Sequence, residues 1–236
     1  MNLEDLIDPL VEELRKLRFG PPVTHVYNPL EYARHPYEQY LRSYANPPRE
    51  IILMGMNPGP WGMAQTGVPF GEIEAVRQWL GIEAPVGMPP VRHPKRPVEG
   101  FACRRREVSG QRLWGWAKKR FRTPAQFFKR FFVANYCPLL FLEGGGRNRT
   151  PENLRASDRR PLIEVCDRGL RRTVAWFRPR YVVGVGRFAE MRARAALSDL
   201  DVMVGGITHP SPANPKANQN WAALVDGELK RLGIEG

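Results

Sequence analysis

Four short apolar runs, each closed by a polar or Gly/Pro turn, constrain this chain more than anything else in it. They are Ile51-Ile52-Leu53-Met54, Phe131-Phe132-Val133-Ala134, Tyr181-Val182-Val183-Gly184-Val185, and Val202 to Ile207. Unbroken apolar runs of this length read as strands buried on both faces, the condition of a central parallel sheet. Helical stretches lie between and after them: Ser109, as N-cap, through Phe121; a helix opening at Thr123-Pro124; Arg159 to Phe177; Arg187 to Leu197; Asn218 to Leu232. Strands alternating with helices imply an α/β fold, a parallel sheet with helices on both faces. No repeat or linker divides the sequence, so one domain over residues 1–236 is expected.

The remaining segments are read more coarsely. Leu3, Leu6, Leu10, Leu14 and Leu17 recur at helical spacing, with acids early and bases late; Pro9 inside this pattern predicts a kink or a late start. Residues 20–48, rich in Pro, Tyr and Asn, read as irregular wrapping. Ile73 to Leu80 reads as helix, 83–100 as proline-rich loop, Gly144 to Asn148 as a flexible basic turn, and Thr150-Pro151-Glu152 as the start of a short helix.

The turns at the strand ends carry the chemistry. The first run ends at Gly55-Met56-Asn57-Pro58-Gly59-Pro60, the second at Asn135, and the fourth at His209-Pro210-Ser211-Pro212-Ala213-Asn214-Pro215. Open parallel sheets bind ligands at their carboxyl edge, so Asn57, Asn135 and His209 can meet in one pocket. Each alone could be a turn, cap or structural residue. Three on different strands at one edge point to a site. Amides do not titrate and His is neutral or charged near pH 7, a set suited to orienting water and stabilising a developing anion rather than to nucleophilic attack.

The net charge of +12 and a pI near 10.1 favour a polyanionic partner, most simply nucleic acid. Arginine supplies 29 of the 36 basic residues, so genome composition is a competing source of the charge. The charge is concentrated: between Arg92 and Arg130 there are 13 Lys/Arg against only Glu99 and Glu107. Trp114, Trp116, Phe121, Phe127 and Phe128 are interleaved with these bases. They could stack on nucleobases, or form the apolar face of amphipathic helices, and their periodicity favours the second reading. Cys103, Cys137 and Cys166 are odd in number, far apart and without C-x-x-C, which suits neither a disulfide framework nor a four-thiolate cluster, and fits a reducing compartment. The start Met1-Asn2-Leu3-Glu4-Asp5 lacks a leader pattern, and no apolar run approaches the ~18 residues of a membrane span. A soluble intracellular protein is expected, in cytoplasm or nucleoid if bacterial and in the nucleus if eukaryotic.

These residues carry a resemblance. The segments Gly55 to Glu72 (GMNPGPWGMAQTGVPFGE), Glu107-Val108-Ser109-Gly110, Asn135-Tyr136-Cys137-Pro138-Leu139-Leu140-Phe141, Val182 to Arg187 and His209-Pro210-Ser211-Pro212, in this order, resemble the single-strand-selective monofunctional uracil-DNA glycosylases of the uracil-DNA glycosylase superfamily, over about Asn28 to Leu232. The resemblance implies a three-layer α/β/α fold with a four-stranded parallel sheet. It implies a monomeric enzyme that flips uracil or a related damaged base from single- or double-stranded DNA and hydrolyses its glycosidic bond, with no cofactor or metal. By the family pattern Asn57 positions the water, where more active relatives use an aspartate; the amide lacks that residue's charge and basicity, so a slower, more tolerant enzyme is expected. His209 donates to the leaving uracil's carbonyl oxygen. Asn135 reads the base edge, Phe70 stacks on it, and Met56, Gly62 and Met63 line the pocket. The loop His209 to Pro215, through Pro210, Ser211, Pro212, Ala213 and Asn214, presses into the minor groove, while Gly145 to Asp158, with Gly145, Gly146, Arg147 and Asn148 as its DNA-contacting residues, holds or wedges the duplex. Ala213 stands where some relatives carry a basic residue, and Trp61 where others carry Phe. The pocket motifs contain no lysine, so Schiff-base strand cleavage is not expected.

Two other readings compete: a non-catalytic single-strand nucleic-acid binder using the basic aromatic segment, and a small-molecule hydrolase with Cys103 or Cys137 as nucleophile.

Overall fold

The four apolar runs do form one parallel sheet, with the second run at one edge, followed by the first, the third and the fourth. The structure, a computed structural model, describes residues 4–235; Leu3 of the leucine pattern lies outside them. In chain order the elements are α1 (Glu4–Arg15), β1 (Val23–Tyr27), α2 (Pro29–Tyr32), α3 (Arg34–Tyr44), β2 (Ile51–Gly55), α4 (Met63–Thr66), α5 (Val108–Phe121), α6 (Pro124–Phe128), β3 (Phe131–Asn135), β4 (Leu140–Glu143), β5 (Asn148–Arg149), α7 (Ala156–Phe177), β6 (Tyr181–Val185), α8 (Arg187–Ala196), β7 (Met203–Ile207) and α9 (Ala217–Arg231). The central strands β2 and β6 are buried along their whole length, whereas β7 at one edge has partly exposed positions.

Alternation along β3 creates the layers. Phe131 meets Trp116, Phe121 and Phe127 of α5 and α6, while its neighbour Phe132 points the other way, onto Phe177 of α7 and Tyr40 of α3. Helices α1, α7 and α8 pack together, as do α5, α6 and α9. Trp114, Trp116, Phe127 and Phe128 are buried, so the aromatics of the basic segment are core. Their ring contacts are mostly edge-on, the geometry that the ring quadrupole favours.

Several local expectations are corrected. Residues 20–48 are not irregular: β1, α2 and α3 fall there. In α3, Tyr37, Tyr40, Leu41 and Tyr44 follow a helical 3–4 spacing. Strand β1 pairs antiparallel with β4, and β4 with β5, making a second small sheet across what read as a loose basic turn. These strands are short, β5 is only two residues long, and β1 lies far from its partner β4, so the local sequence signals them weakly. Ile73 to Leu80 is helical as expected, but Ala75–Trp79 is wound as a π-helix, closed by Leu80 N–H to Ala75 O at 2.9 Å, with Trp79 set against Trp114 and Phe127. Helix α5 begins at Val108 with Glu107 at its cap position, not at a Ser109 cap. Thr150-Pro151-Glu152 opens only a 3₁₀ turn, while α7 starts at Ala156 rather than Arg159. Helix α1 runs through Pro9 from Glu4.

Two glycines make opposite predictions. A Cβ on Gly184 of β6 would lie 2.1 Å from the backbone nitrogen of Glu190, so α8 packs on the sheet only because that position is bare. Gly184→Ala should destabilise by about 1–3 kcal/mol, the scale of overpacking. A Cβ on Gly115, in mid-α5, would have nothing within 4 Å, and Gly115→Ala should stabilise by about 0.5–1 kcal/mol through helix propensity. Urea unfolding of both variants decides; equal midpoints would contradict this packing.

Candidate active site

Parallel strands in register bring their carboxyl ends to one level. Gly55 of β2 stands opposite Asn135 of β3, Met54 opposite Gly184 of β6, and Val185 opposite Ile207 of β7. The connection from β2 leads towards β3 on one side, and that from β6 towards β7 on the other. Such a divergence of neighbouring strands opens a crevice beyond their ends. A cavity of about 390 Å³ occupies it, lined by Met56, Asn57, Pro58, Gly59, Pro60, Gly62, Met63, Phe70, Glu107, Ser109, Asn135, Asn148, Thr150, His209 and Ser211. All seven residues expected to touch base or water are in this lining.

Asn57 follows β2 with its amide orientation fixed by the backbone. Nδ2 donates to Leu139 O at 3.1 Å, and a carbonyl can only accept, so the amide nitrogen must face it. A second, longer contact runs from Nδ2 to Pro58 O at 3.5 Å. Oδ1 is thereby left as an acceptor in the lining.

His209 is fixed in the same way. Its Nδ1 accepts from Ser211 N–H at 3.0 Å. The proton of the neutral ring therefore sits on Nε2, which becomes a donor. Burial lowers the pKa of the imidazole to about 4, so the ring is neutral near pH 7. The loop that carries it is tied from several sides. Thr208 donates through N–H and Oγ1 to the two Glu228 carboxylate oxygens, each at 2.7 Å, and its carbonyl accepts from Trp221 Nε1 at 2.7 Å. Arg112 of α5 donates to Pro210 O and to Asn218 Oδ1. Gly186, at φ +94°, leaves room for His209 Cβ, which a Cβ there would approach to 3.1 Å.

Asn135 ends β3 with Nδ2 at 3.2 Å from Met63 Sδ, a weak acceptor that a better one can displace. Gly55 makes room for it: a Cβ there would stand 2.5 Å from Asn135 Oδ1 and 2.6 Å from the Phe70 ring. Phe70 adopts φ +52°, a strained region for a bulky residue, and its carbonyl accepts from Trp114 Nε1 at 3.0 Å and Glu72 N–H at 2.7 Å. Its ring lies 6.1 Å from that of His209, tilted by 39°.

Glu107, Ser109 and Thr150 also line the cavity; Ser109 was read only as a helix cap and Thr150 only as a helix start within the DNA-holding segment, and none was read as a pocket residue. Glu107 was visible only as part of a matched motif; what brings it in is the bare backbone of Gly59 and Gly62, against which its carboxylate packs. Burial raises the Glu107 carboxyl, with the nearby Glu72 charge adding and Ser109 opposing through its backbone and hydroxyl. Asn148 Oδ1 is shut off from solvent without a partner. Of the loop residues expected at DNA, Asn148 and Ser211 reach the cavity, Gly146 and Pro210 are buried on the inner side of their loops, and Gly145, Arg147, Pro212 and Ala213 are exposed beside it. Asn214 is half-buried and stabilises its own loop, Nδ2 donating to His209 O at 3.4 Å. Cys103, Cys137 and Cys166 are all buried, and none lines the cavity. No cluster of three His, Cys, Asp or Glu able to hold a metal occurs among the described residues, and no described helix is long and apolar enough to cross a membrane.

The family model for the uracil DNA glycosylase superfamily matches residues 42–226. A single-strand selective monofunctional uracil DNA glycosylase from Bos taurus is 51% identical over 227 residues, 95% of this chain and 84% of the bovine protein. The Mus musculus protein of the same name is 50% identical over 94% of this chain and 80% of its own length. The crystal structure of Pedobacter heparinus SMUG2 shares the fold, with a TM-score of 0.68 at 16% identity, covering 97% of both chains. The chain belongs to the uracil DNA glycosylase superfamily, within its single-strand-selective monofunctional uracil-DNA glycosylase family.

Proposed function

We propose that this chain is a monofunctional DNA glycosylase that takes a flipped uracil, or a related damaged base, into the cavity and hydrolyses its bond to deoxyribose, leaving an abasic site for base excision repair. One observation carries the assignment of roles. Asn57, Phe70, Asn135 and His209 come from four separate segments and line one cavity at the sheet's carboxyl edge, with Asn57 and His209 each oriented by a backbone hydrogen bond.

The chemistry follows from those orientations. As the glycosidic bond breaks, positive charge builds on the sugar and negative charge on the base. His209 donates from Nε2 to the uracil carbonyl oxygen, and a neutral donor stabilises the growing anion without delivering a full proton. Asn57 Oδ1 accepts from a water and holds it for attack on the sugar; the bond from water oxygen to C1′ replaces the bond to the base nitrogen. Asn135 accepts from the ring N–H through Oδ1 and donates from Nδ2 to a carbonyl, exchanging Met63 Sδ for a stronger acceptor. Cytosine presents the reverse pattern at that edge and is refused. Phe70 stacks on the base. None of the lining residues is a lysine, in keeping with hydrolysis without an imine on the protein. The finer expectations, action on single- and double-stranded DNA by a monomer of one domain inside the cell, belong to the same proposal.

A labelled oligonucleotide with one uracil tests the function. The protein should leave an alkali-labile site and no strand break before alkali. Asn57→Ala should lower the single-turnover rate by about 10²-fold or more, the scale of one positioned catalytic group, while affinity for abasic DNA survives. Full activity in that variant would remove Asn57 from the mechanism.

Asn135→Ala and Asn135→Asp should both lose uracil excision, because a carboxylate cannot donate to the carbonyl oxygen. Unchanged uracil kinetics in both would exclude the edge-reading role.

His209 predicts a pH signature. With its pKa lowered from 6.5 to about 4, the folded protein stays unprotonated there while the unfolded chain takes up a proton. Stability should be fullest above 6.5 and fall as pH drops towards 4, and His209→Ala should flatten that slope. The single-turnover rate of the native enzyme should show no inflection near 6.5 from this group. An inflection there that disappears in His209→Ala would mean that the ring acts as a cation.

A further inference from the structure

We propose that Trp61, Arg96 and Arg105 form a binding site for one backbone phosphate of the DNA strand at the mouth of the base cavity, an inference that rests on the glycosylase reading. Trp61 directly follows Pro60, which lines the cavity. The Arg96 guanidinium carbon lies 5.3 Å from the Trp61 ring centroid and that of Arg105 lies 5.2 Å from it. Two cations thus converge on one half-buried indole.

Neither has a counter-ion among the described residues. Arginines elsewhere in the fold pair with carboxylates: Arg171 with Asp199, Arg192 with Asp167, Arg168 and Arg172 with Glu13. Arg92, Arg96, Arg104, Arg105 and Arg106 enter no ion pair among the described residues. Other arginines of the basic segment are engaged elsewhere. Arg112 holds the His209 loop, Arg120 pairs with Asp226, and Arg130 pairs with Glu50 at the opposite, amino end of the sheet. Arg96 and Arg105 keep their charge uncompensated, and they stand beside the cavity.

Arg96 is also short of acceptors. Its Nε is shut off from solvent without a partner, and its one side-chain hydrogen bond goes to the adjacent Lys95 carbonyl. Arg49 and Arg172 also bury an unpartnered Nε, but Arg49 donates to two carbonyls and Arg172 to Glu13. Gly146, at φ +86°, closes over Arg96, so that a Cβ there would come within 3.6 Å of its guanidinium carbon. The hairpin between β4 and β5 therefore forms one wall of the site.

A phosphodiester answers all three features. It carries one negative charge and two acceptor oxygens, which match the guanidinium fork. It recurs at fixed spacing beside any base that enters the cavity. The indole is already engaged by both cations, so it serves as their platform rather than as a stacking surface for a base.

The test uses single-stranded oligonucleotides with a non-cleavable 2′-fluoro-deoxyuridine and one methylphosphonate placed in turn at each phosphate around it. Native protein should lose roughly tenfold in affinity at one position close to the uracil, the order of one charge-assisted contact. Arg105→Ala should lose a similar factor on unmodified DNA and become insensitive at that position alone, with the slope of log K against log salt shallower by about one. Arg96→Ala should erase the same position. Both variants should keep the native melting temperature and release uracil when DNA is saturating. If every position penalises the variants as it does the native protein, the phosphate site is overturned. If the native protein releases no uracil, the glycosylase reading falls and this proposal with it. Normal excision without coupling to Arg105 or Arg96 overturns the phosphate site only.

Discussion

Everything in the site hangs on the register of four parallel strands. Because β2, β3, β6 and β7 run the same way and end at the same height, each hands its next residues to one rim. No contact between Asn57 and His209 is needed to bring them together. The register does it, and because β2 and β6 are buried along their whole length, a slip would draw the flanking Glu50 or Arg180 into the sheet at a cost. The amide and the imidazole are then aimed locally, each by one bond to the main chain: Leu139 O for Asn57 and Ser211 N–H for His209. Placement is global and orientation is local.

This division explains what could be read from the residues alone. Strands β2, β3, β6 and β7 are continuous apolar runs, and Asn57, Asn135 and His209 stand out as polar residues at sharp turns, so the sheet and the three polar residues that share one cavity lining were legible in order. The β1–β4–β5 sheet was not, because Val23–Tyr27 and Leu140–Glu143 lie more than a hundred residues apart and neither has the length to announce itself. Glu107 was missed as a lining residue for a related reason. Its entry depends on two bare glycines, Gly59 and Gly62, on another loop, a relation that exists only in space. The helix around Ala75–Trp79 was legible from its apolar spacing but its wide π winding was not; packing of Trp79 against Trp114 and Phe127, which periodicity does not encode, accompanies that winding.

Charge is sorted as well as abundant. Between Arg92 and Arg130 the sequence looks uniformly basic, but the fold divides the segment at Glu107. The arginines before it enter no ion pair among the described residues, whereas several after it are drawn into ion pairs and loop supports. A count of net charge sees one feature where the molecule has two: arginines engaged in scaffolding and arginines left without an ion pair among the described residues. The aromatics mixed among these bases follow the scaffolding, since Trp114, Trp116, Phe127 and Phe128 are core.

Phe70 belongs to the cavity by its ring and to the core by its backbone. Its positive φ is held by Trp114 Nε1 and by the Glu72 N–H, and Gly110 keeps clear of its carbonyl, which a Cβ there would approach to 2.1 Å. Trp114 sits in turn among Trp79, Phe127 and Phe128. The cavity wall at Phe70 is thus braced by an aromatic stack that lies outside the cavity lining. Cavity shape and core rigidity are coupled through a single indole: under the proposed function, loosening that stack would let the Phe70 wall shift before the protein as a whole unfolds, and the choice of base would become a gauge of how well the interior is packed.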